Sequence, residues 1–217
     1  MTSPLEKIKS FAKKHLPEAP CHDFLHAERV RKLALKIAKE ENISCNSFIL
    51  EASAYLHDIA DKKFFPNHKE RLNMIQSFLK SIKIPEEEIN SIMHVIKSIS
   101  FKGAIEEPKT PEAIILHDAD KLDAIGAIGI ARTFSYCGYN KGKFYDAADP
   151  KNQEKMTYEE YKHSTPINHF HEKLLKIKDI LKTKTAKQLA EERHKFLIKF
   201  LEQFMKELKQ DKKNETS

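Results

Sequence analysis

The residues best suited to chemistry lie in Leu56-His57-Asp58-Ile59-Ala60-Asp61, where an imidazole and two carboxylates interrupt an apolar stretch. Burying an unpaired charge is very costly, so carboxylates in such a place call for a compensating partner such as a metal cation. On a helix advancing about 100° per residue, Leu50, Ala54, His57, Asp58 and Asp61 share one stripe. Adjacent residues cannot both point straight at one atom. His57 and Asp58 would therefore straddle an ion whose other ligands arrive from neighbouring helices. The stretch reads as half of a metal site; a His-Asp dipeptide at a frayed helix end is the alternative.

Two other segments carry polar groups toward a core. From His22 to about Glu41 a stripe of Val30, Leu33, Ala34, Ile37 and Ala38 has core-facing spacing, and extending it back one turn reaches His26. His22, Asp23 and Arg29 flank that histidine. Read by itself, His26 is either a hydrogen-bonded core histidine or a ligand. From Glu112 to Phe134, Ile114-Ile115-Leu116 gives way to His117-Asp118-Ala119-Asp120-Lys121-Leu122-Asp123 and then to a glycine- and alanine-rich run. Asp120 and Asp123 are one turn apart, so at least one carboxylate faces inward, and the small residues allow close packing.

The elements that must position these groups are helices. Apolar residues recur at helical spacing, glycine is scarce (5 in 217 residues), and no segment shows sustained strand alternation, so the fold is expected to be all-α. Ser3, Asn46 or Ser47, Thr110-Pro111 and Thr165-Pro166 are helix-start signals, and Pro85 stands at a first-turn position. The helix carrying His57 is expected to end near Asp61, and the one from Thr165 to run through Ile177. A last helix is expected from Thr183 or Thr185. The irregular segment 136–163 is expected to be a lid. One domain spanning 1–208, with its core at about 21–200, precedes a lysine-rich tail, 209–217, expected to be disordered.

Composition limits the partners. The net charge of +6 comes from lysines spread among acids, which reads as a solvated surface; nucleic acid is not an expected partner, while a polyanionic small molecule would still be attracted. Cys21, Cys45 and Cys137 show no CxxC spacing and indicate neither a disulfide framework nor a thiolate zinc site. No apolar run suggests a signal core or membrane span, so a cytoplasmic setting is expected.

In order along the chain, His26, then His57-Asp58, then Asp120 resembles the H…HD…D signature of the HD-domain superfamily of metal-dependent phosphohydrolases. His22-Asp23-x-x-His26-x-x-Arg29-Val30, the Asp118-to-Phe134 run and His169-Phe170-x-Glu172-Lys173-Leu174-Leu175 resemble its YedJ/YpgQ-like branch, over roughly Cys21 to Phe200. The resemblance implies a single-domain helical HD fold and one divalent metal held by His26, His57, Asp58 and Asp120. It further implies hydrolysis of nucleoside triphosphates, deoxy ones included, to monophosphate and pyrophosphate. His117 departs from the branch, where a neutral polar residue is more usual, and creates a further His-Asp dipeptide; Asp120, not Asp118, is kept as the ligand.

Two neutral imidazoles and two carboxylates offset a divalent charge and include no thiolate, which suits Mn2+ first, then Mg2+, Co2+, Ni2+ or Fe2+, better than a closed structural zinc site. Asp61 is placed to take a proton from water or orient it. Lys62 and Lys63, then Lys97, Lys121 and Arg132, are the candidate cations for a leaving pyrophosphate. His22, Asp23, Arg29 and Asp123 are assigned to holding the chemistry-bearing groups in position. The rivals are a nucleotide monophosphatase or phosphodiesterase on the same site and, outside enzymes, a helical module binding RNA or protein. Pairing of two chains is left open.

Overall fold

The computed structural model describes residues 2–19, 21–62, 64–99, 107–146, 160 and 164–214. As expected, the regular structure is helical, with no strand among the described residues. It falls into two compact units: Met1–Asp123 with Lys182–Ala186, and Ala124–Leu181 with Lys187–Ser217.

The first unit holds α1 (Pro4–His15), α2 (Phe24–Glu40), α3 (Ser47–Leu56), α4 (His68–Ser81), α5 (Glu86–Ser98) and α6 (Pro111–Asp123). Four of their starts follow from side-chain capping. Ser3 Oγ accepts from Glu6 N, Asp23 Oδ1 from His26 N, Asn46 Oδ1 from Phe48 N and Ile49 N, and Thr110 Oγ1 from Ala113 N, each satisfying a first-turn donor that lacks an intrahelical partner. α2 packs on α3 and α6, and α3 also on α1 and α5. Val30, Ala34 and Ile37 of α2, Leu50 and Ala54 of α3, Ile92 of α5 and Ile115 and Leu116 of α6 are buried core.

One boundary corrects the sequence reading. α3 stops at Leu56 instead of continuing to Asp61, and the chain goes on in tight turns in which Ile59 N donates to Leu56 O and Asp61 N to Asp58 O, both at 3.2 Å. Bonds closed over three residues wind about 120° per residue rather than about 100°.

The second unit holds α7 (Gly126–Tyr139), α8 (Pro166–Glu172), a 3₁₀ turn (Leu174–Lys176), α9 (Ile177–Ile180) and the greater part of α10 (Lys184–Asn214). Gly126 takes a left-handed backbone (φ +79), and a Cβ on Gly129 would stand 2.2 Å from Ala124 O, so both glycines are sterically required as α7 begins. Phe134, Phe170, Phe200 and Phe204 form its aromatic core. The helix expected to run through Ile177 breaks at Lys173, whose backbone leaves the helical region (φ −138). Residues 136–139 of the expected lid belong to α7; 147–159 and 161–163 lie outside the described residues, as does 215–217 of the expected tail, while α10 runs on to Asn214.

Candidate metal centre

Four side chains of the first unit converge. His26 enters from the first turn of α2, His57 and Asp58 from the turn after α3, and Asp120 from the last turns of α6. His26 Nε2 lies 3.3 Å from Asp58 Oδ2 and 3.5 Å from Asp120 Oδ1; His57 Nε2 lies 3.3 Å from Asp58 Oδ1 and 3.9 Å from Asp120 Oδ1. Two donors each about 2.1 Å from an ion and 90–110° apart stand about 3.0–3.4 Å from one another; the two 3.3 Å spacings fall in that range, and those of 3.5 and 3.9 Å call for a wider angle at the ion.

Hydrogen bonds fix which nitrogen of each ring faces inward. His57 Nδ1 donates to Ala54 O at 2.9 Å, because a carbonyl can only accept. In a neutral ring its Nε2 therefore presents a lone pair, buried, without a hydrogen-bond partner among the described residues, and aimed at carboxylates. Asp58 Oδ2 is buried without one as well. His26 Nδ1 is held at 2.7 Å by Asp123 Oδ2, and Arg29 grips both oxygens of that carboxylate at 2.8 and 3.0 Å. Lone pairs facing carboxylates repel unless a cation stands between them, and the donor set of two imidazole nitrogens and carboxylate oxygens fits a divalent ion.

Both carboxylates stay ionised despite their burial. Burial alone would raise the Asp58 carboxyl, but His57, His22 and His26 outweigh it and hold it well below the ordinary range. For Asp120 burial is likewise overcome, first by Lys121 and then by His57 and His26.

The remaining predicted residues divide. Asp123 and Arg29 support His26 as described, and Asp23 caps α2 through the His26 N–H. His22, its Nδ1 3.1 Å from Cys21 Sγ, joins Asp58 and Asp61 in a second grouping whose donor atoms lie within 4.8 Å of one another. Lys121, expected as a phosphate contact, is instead buried, its Nζ bonded to Asp120 Oδ2 at 2.8 Å and Ile99 O at 3.3 Å, where it orients Asp120. Lys62 is exposed and Lys97 half-buried on α5, whereas Arg132 belongs to α7 in the second unit and Lys63 lies outside the described residues.

Asp118 takes no part in the cluster. It is buried and accepts from Thr183 N, Thr183 Oγ1 and Lys182 N, with His117 Nδ1 at 2.9 Å. Sequence reasoning passed over this tie and also over Arg71 and His68, which bond backbone carbonyls near Asp61. A carbonyl partner leaves no mark in side-chain spacing.

Residues 23–125 match the HD domain family. The chain belongs to that family and is a hydrolase acting on phosphate esters or anhydrides. Among its relatives, YpgQ of Bacillus subtilis is 33% identical over 207 residues, covering 94% of this chain and 93% of YpgQ. The crystal structure of that protein in complex with ADP matches with a TM-score of 0.74 at 32% identity, over 94% of this chain and 97% of the other. An HD-superfamily hydrolase from Bacillus thuringiensis matches at 0.70 and 37% identity, over 94% and 96%. The helical module without catalytic function is thereby set aside. Separately, none of the described helices is long and apolar enough to cross a membrane.

Proposed function

We propose that the protein is a metal-dependent nucleoside triphosphate pyrophosphohydrolase. The observation that carries the nucleotide reading is that a relative similar along 94% of this chain takes ADP. The net charge of +6 supports a polyanionic substrate, and a cytoplasmic setting supplies one.

In this reading His26, His57, Asp58 and Asp120 hold one divalent cation, with Mn2+ the first choice. Such a cation supplies Lewis-acid polarisation of a phosphoryl oxygen and lowers the pKa of water. Asp61, half-buried and within 4.8 Å of an Asp58 oxygen, accepts the proton of the attacking water. The water oxygen bonds to the α-phosphorus, the bond from that phosphorus to the bridging oxygen breaks, and pyrophosphate leaves with the electron pair. Lys62 and Lys63, next along the chain, and Lys97 counter the leaving charge; Arg132 is the last candidate.

The test is a nucleotide panel with EDTA-stripped protein and each divalent metal in turn. The expected result is activity restored by Mn2+, with a monophosphate and pyrophosphate as products. Orthophosphate released from monophosphates would instead favour the monophosphatase alternative, and cleavage of a diester the phosphodiesterase.

A further inference from the structure

The segment bearing Asp61 is held by its backbone from one turn of α4. Arg71 Nε donates to Ile59 O at 2.6 Å and its Nη2 to His15 O at 2.5 Å, while the guanidinium lies over the Phe65 ring, 3.5 Å from its centroid. His68, one turn earlier on the same face, places Nδ1 2.7 Å from Ala60 O. The two carbonyls that immediately precede Asp61 are thus both fixed from α4, and so is an aromatic ring that follows it. Between those points the segment closes on itself, Asp61 O accepting from Phe64 N at 3.1 Å and Phe65 N at 3.0 Å.

Among the described residues no carboxylate stands within ion-pair distance of Arg71. Its planar fork is directed wholly at two carbonyls and a π face, a geometry that a lysine cannot reproduce. By contrast, the metal-facing atom of His57 is set by the ring's bond to Ala54 O inside α3, with no help from α4.

We propose that Arg71 is a positioning residue for Asp61. It sets where that carboxylate stands beside the His26, His57, Asp58 and Asp120 cluster and leaves the cluster's hold on a cation to other residues. The inference rests on the reading of Asp61 as proton acceptor in the proposed hydrolysis. It adds that turnover and metal binding are supported by different parts of the fold.

The experiment is a double-mutant cycle on the full chain, reading kcat, KM, Mn2+ affinity and thermal melting for the wild type, Arg71→Met, Asp61→Asn and the pair. A shift of about 1 Å in a reacting group costs up to about 100-fold, so Arg71→Met is expected to lower kcat about 10- to 100-fold. Mn2+ affinity and KM should stay within about twofold, and adding Arg71→Met to Asp61→Asn should cost nothing more, because coupled residues are non-additive. Arg71→Lys should regain only part of the loss, and it replaces the methionine variant in the cycle if that protein does not fold. An equal loss in both backgrounds, or Mn2+ affinity falling in step with kcat, overturns the inference alone. A wild type that binds Mn2+ yet hydrolyses no nucleotide overturns the proposed function and this inference with it.

Discussion

Of the three His-Asp dipeptides in the chain, His57-Asp58 and His117-Asp118 both follow apolar runs of the first unit, and the fold uses these two in opposite ways. His117-Asp118 sits inside α6, and its bonding capacity is taken up within the protein: Asp118 accepts from the backbone and hydroxyl of Thr183 and the backbone of Lys182, and its own histidine leans on it. His57-Asp58 sits on the turn after α3, and there His57 Nε2 and Asp58 Oδ2 are buried with no hydrogen-bond partner among the described residues. Buried polar atoms are nearly always paired in native proteins, so the unmatched dipeptide is the one built for something from outside the chain. The pair of letters is the same. What separates them is whether nearby backbone donors have already answered the carboxylate.

The comparison breaks most sharply at the dipeptides themselves. His57→Ala and Asp58→Ala are expected to abolish both bound metal and hydrolysis, whereas His117→Ala should spare both. Metal content after dialysis, read beside turnover, checks this. A His57→Ala protein that stays active without metal would falsify the assignment.

The next contrast exchanges the two aspartates of α6. Asp120→Asn should lose metal and activity in a folded protein. Asp118→Asn should instead keep the metal and cost about 1–3 kcal/mol of stability, the penalty for donors left without their acceptor. For a chain of this size that is a fall in Tm of several degrees. Calorimetry of the two variants beside their metal content separates the roles.

These contrasts also show what the sequence could convey. Helical periodicity made the all-α class readable, and start signals gave several helix starts, since Ser3, Asn46 and Thr110 cap the helices they precede. The convergence of His26, His57, Asp58 and Asp120 was readable only as an ordered pattern, because three separate elements supply it. The end of α3 was not. A run of Leu, Ala and Tyr leading into His57 favours helix by propensity, and the tight turn is stabilised by Arg71 and His68 from a later element. The place of Lys121 was equally hidden: a lysine one residue after a carboxylate looks free to reach a phosphate until its ammonium is seen buried against Asp120 and Ile99 O.

Asp123 sharpens the comparison from within the cluster. It fixes the ring of His26 through Nδ1 and is itself clamped by Arg29, whose charge it stabilises against burial. Asp123→Asn keeps the shape and weakens that hold. Metal affinity should fall roughly 10- to 100-fold, the usual cost of losing a carboxylate behind a ligating histidine. Isothermal titration with Mn2+ measures it, and unchanged affinity would mean that His26 needs no such support.

The smallest effect tests how the turn bearing His57 is anchored from the helix side. Tyr55, two residues before His57, donates its hydroxyl to Glu28 Oε1 on α2 at 2.8 Å, and Arg31 binds both Glu28 and Glu51 of α3. Burial opposes ionisation of Glu28, but the Tyr55 hydroxyl and Arg31 outweigh it and hold its carboxyl below the ordinary 4.5. A carboxyl whose pKa is lower folded than unfolded stabilises the native state above its unfolded value, and that contribution is lost as pH falls through the folded one. Stability of the wild type should therefore decline as pH drops below about 4.5 more steeply than that of Glu28→Gln, with no difference in slope near neutrality. Urea unfolding across pH 3–7 tests this; parallel slopes would show that the α2–α3 latch draws nothing from the Glu28 charge.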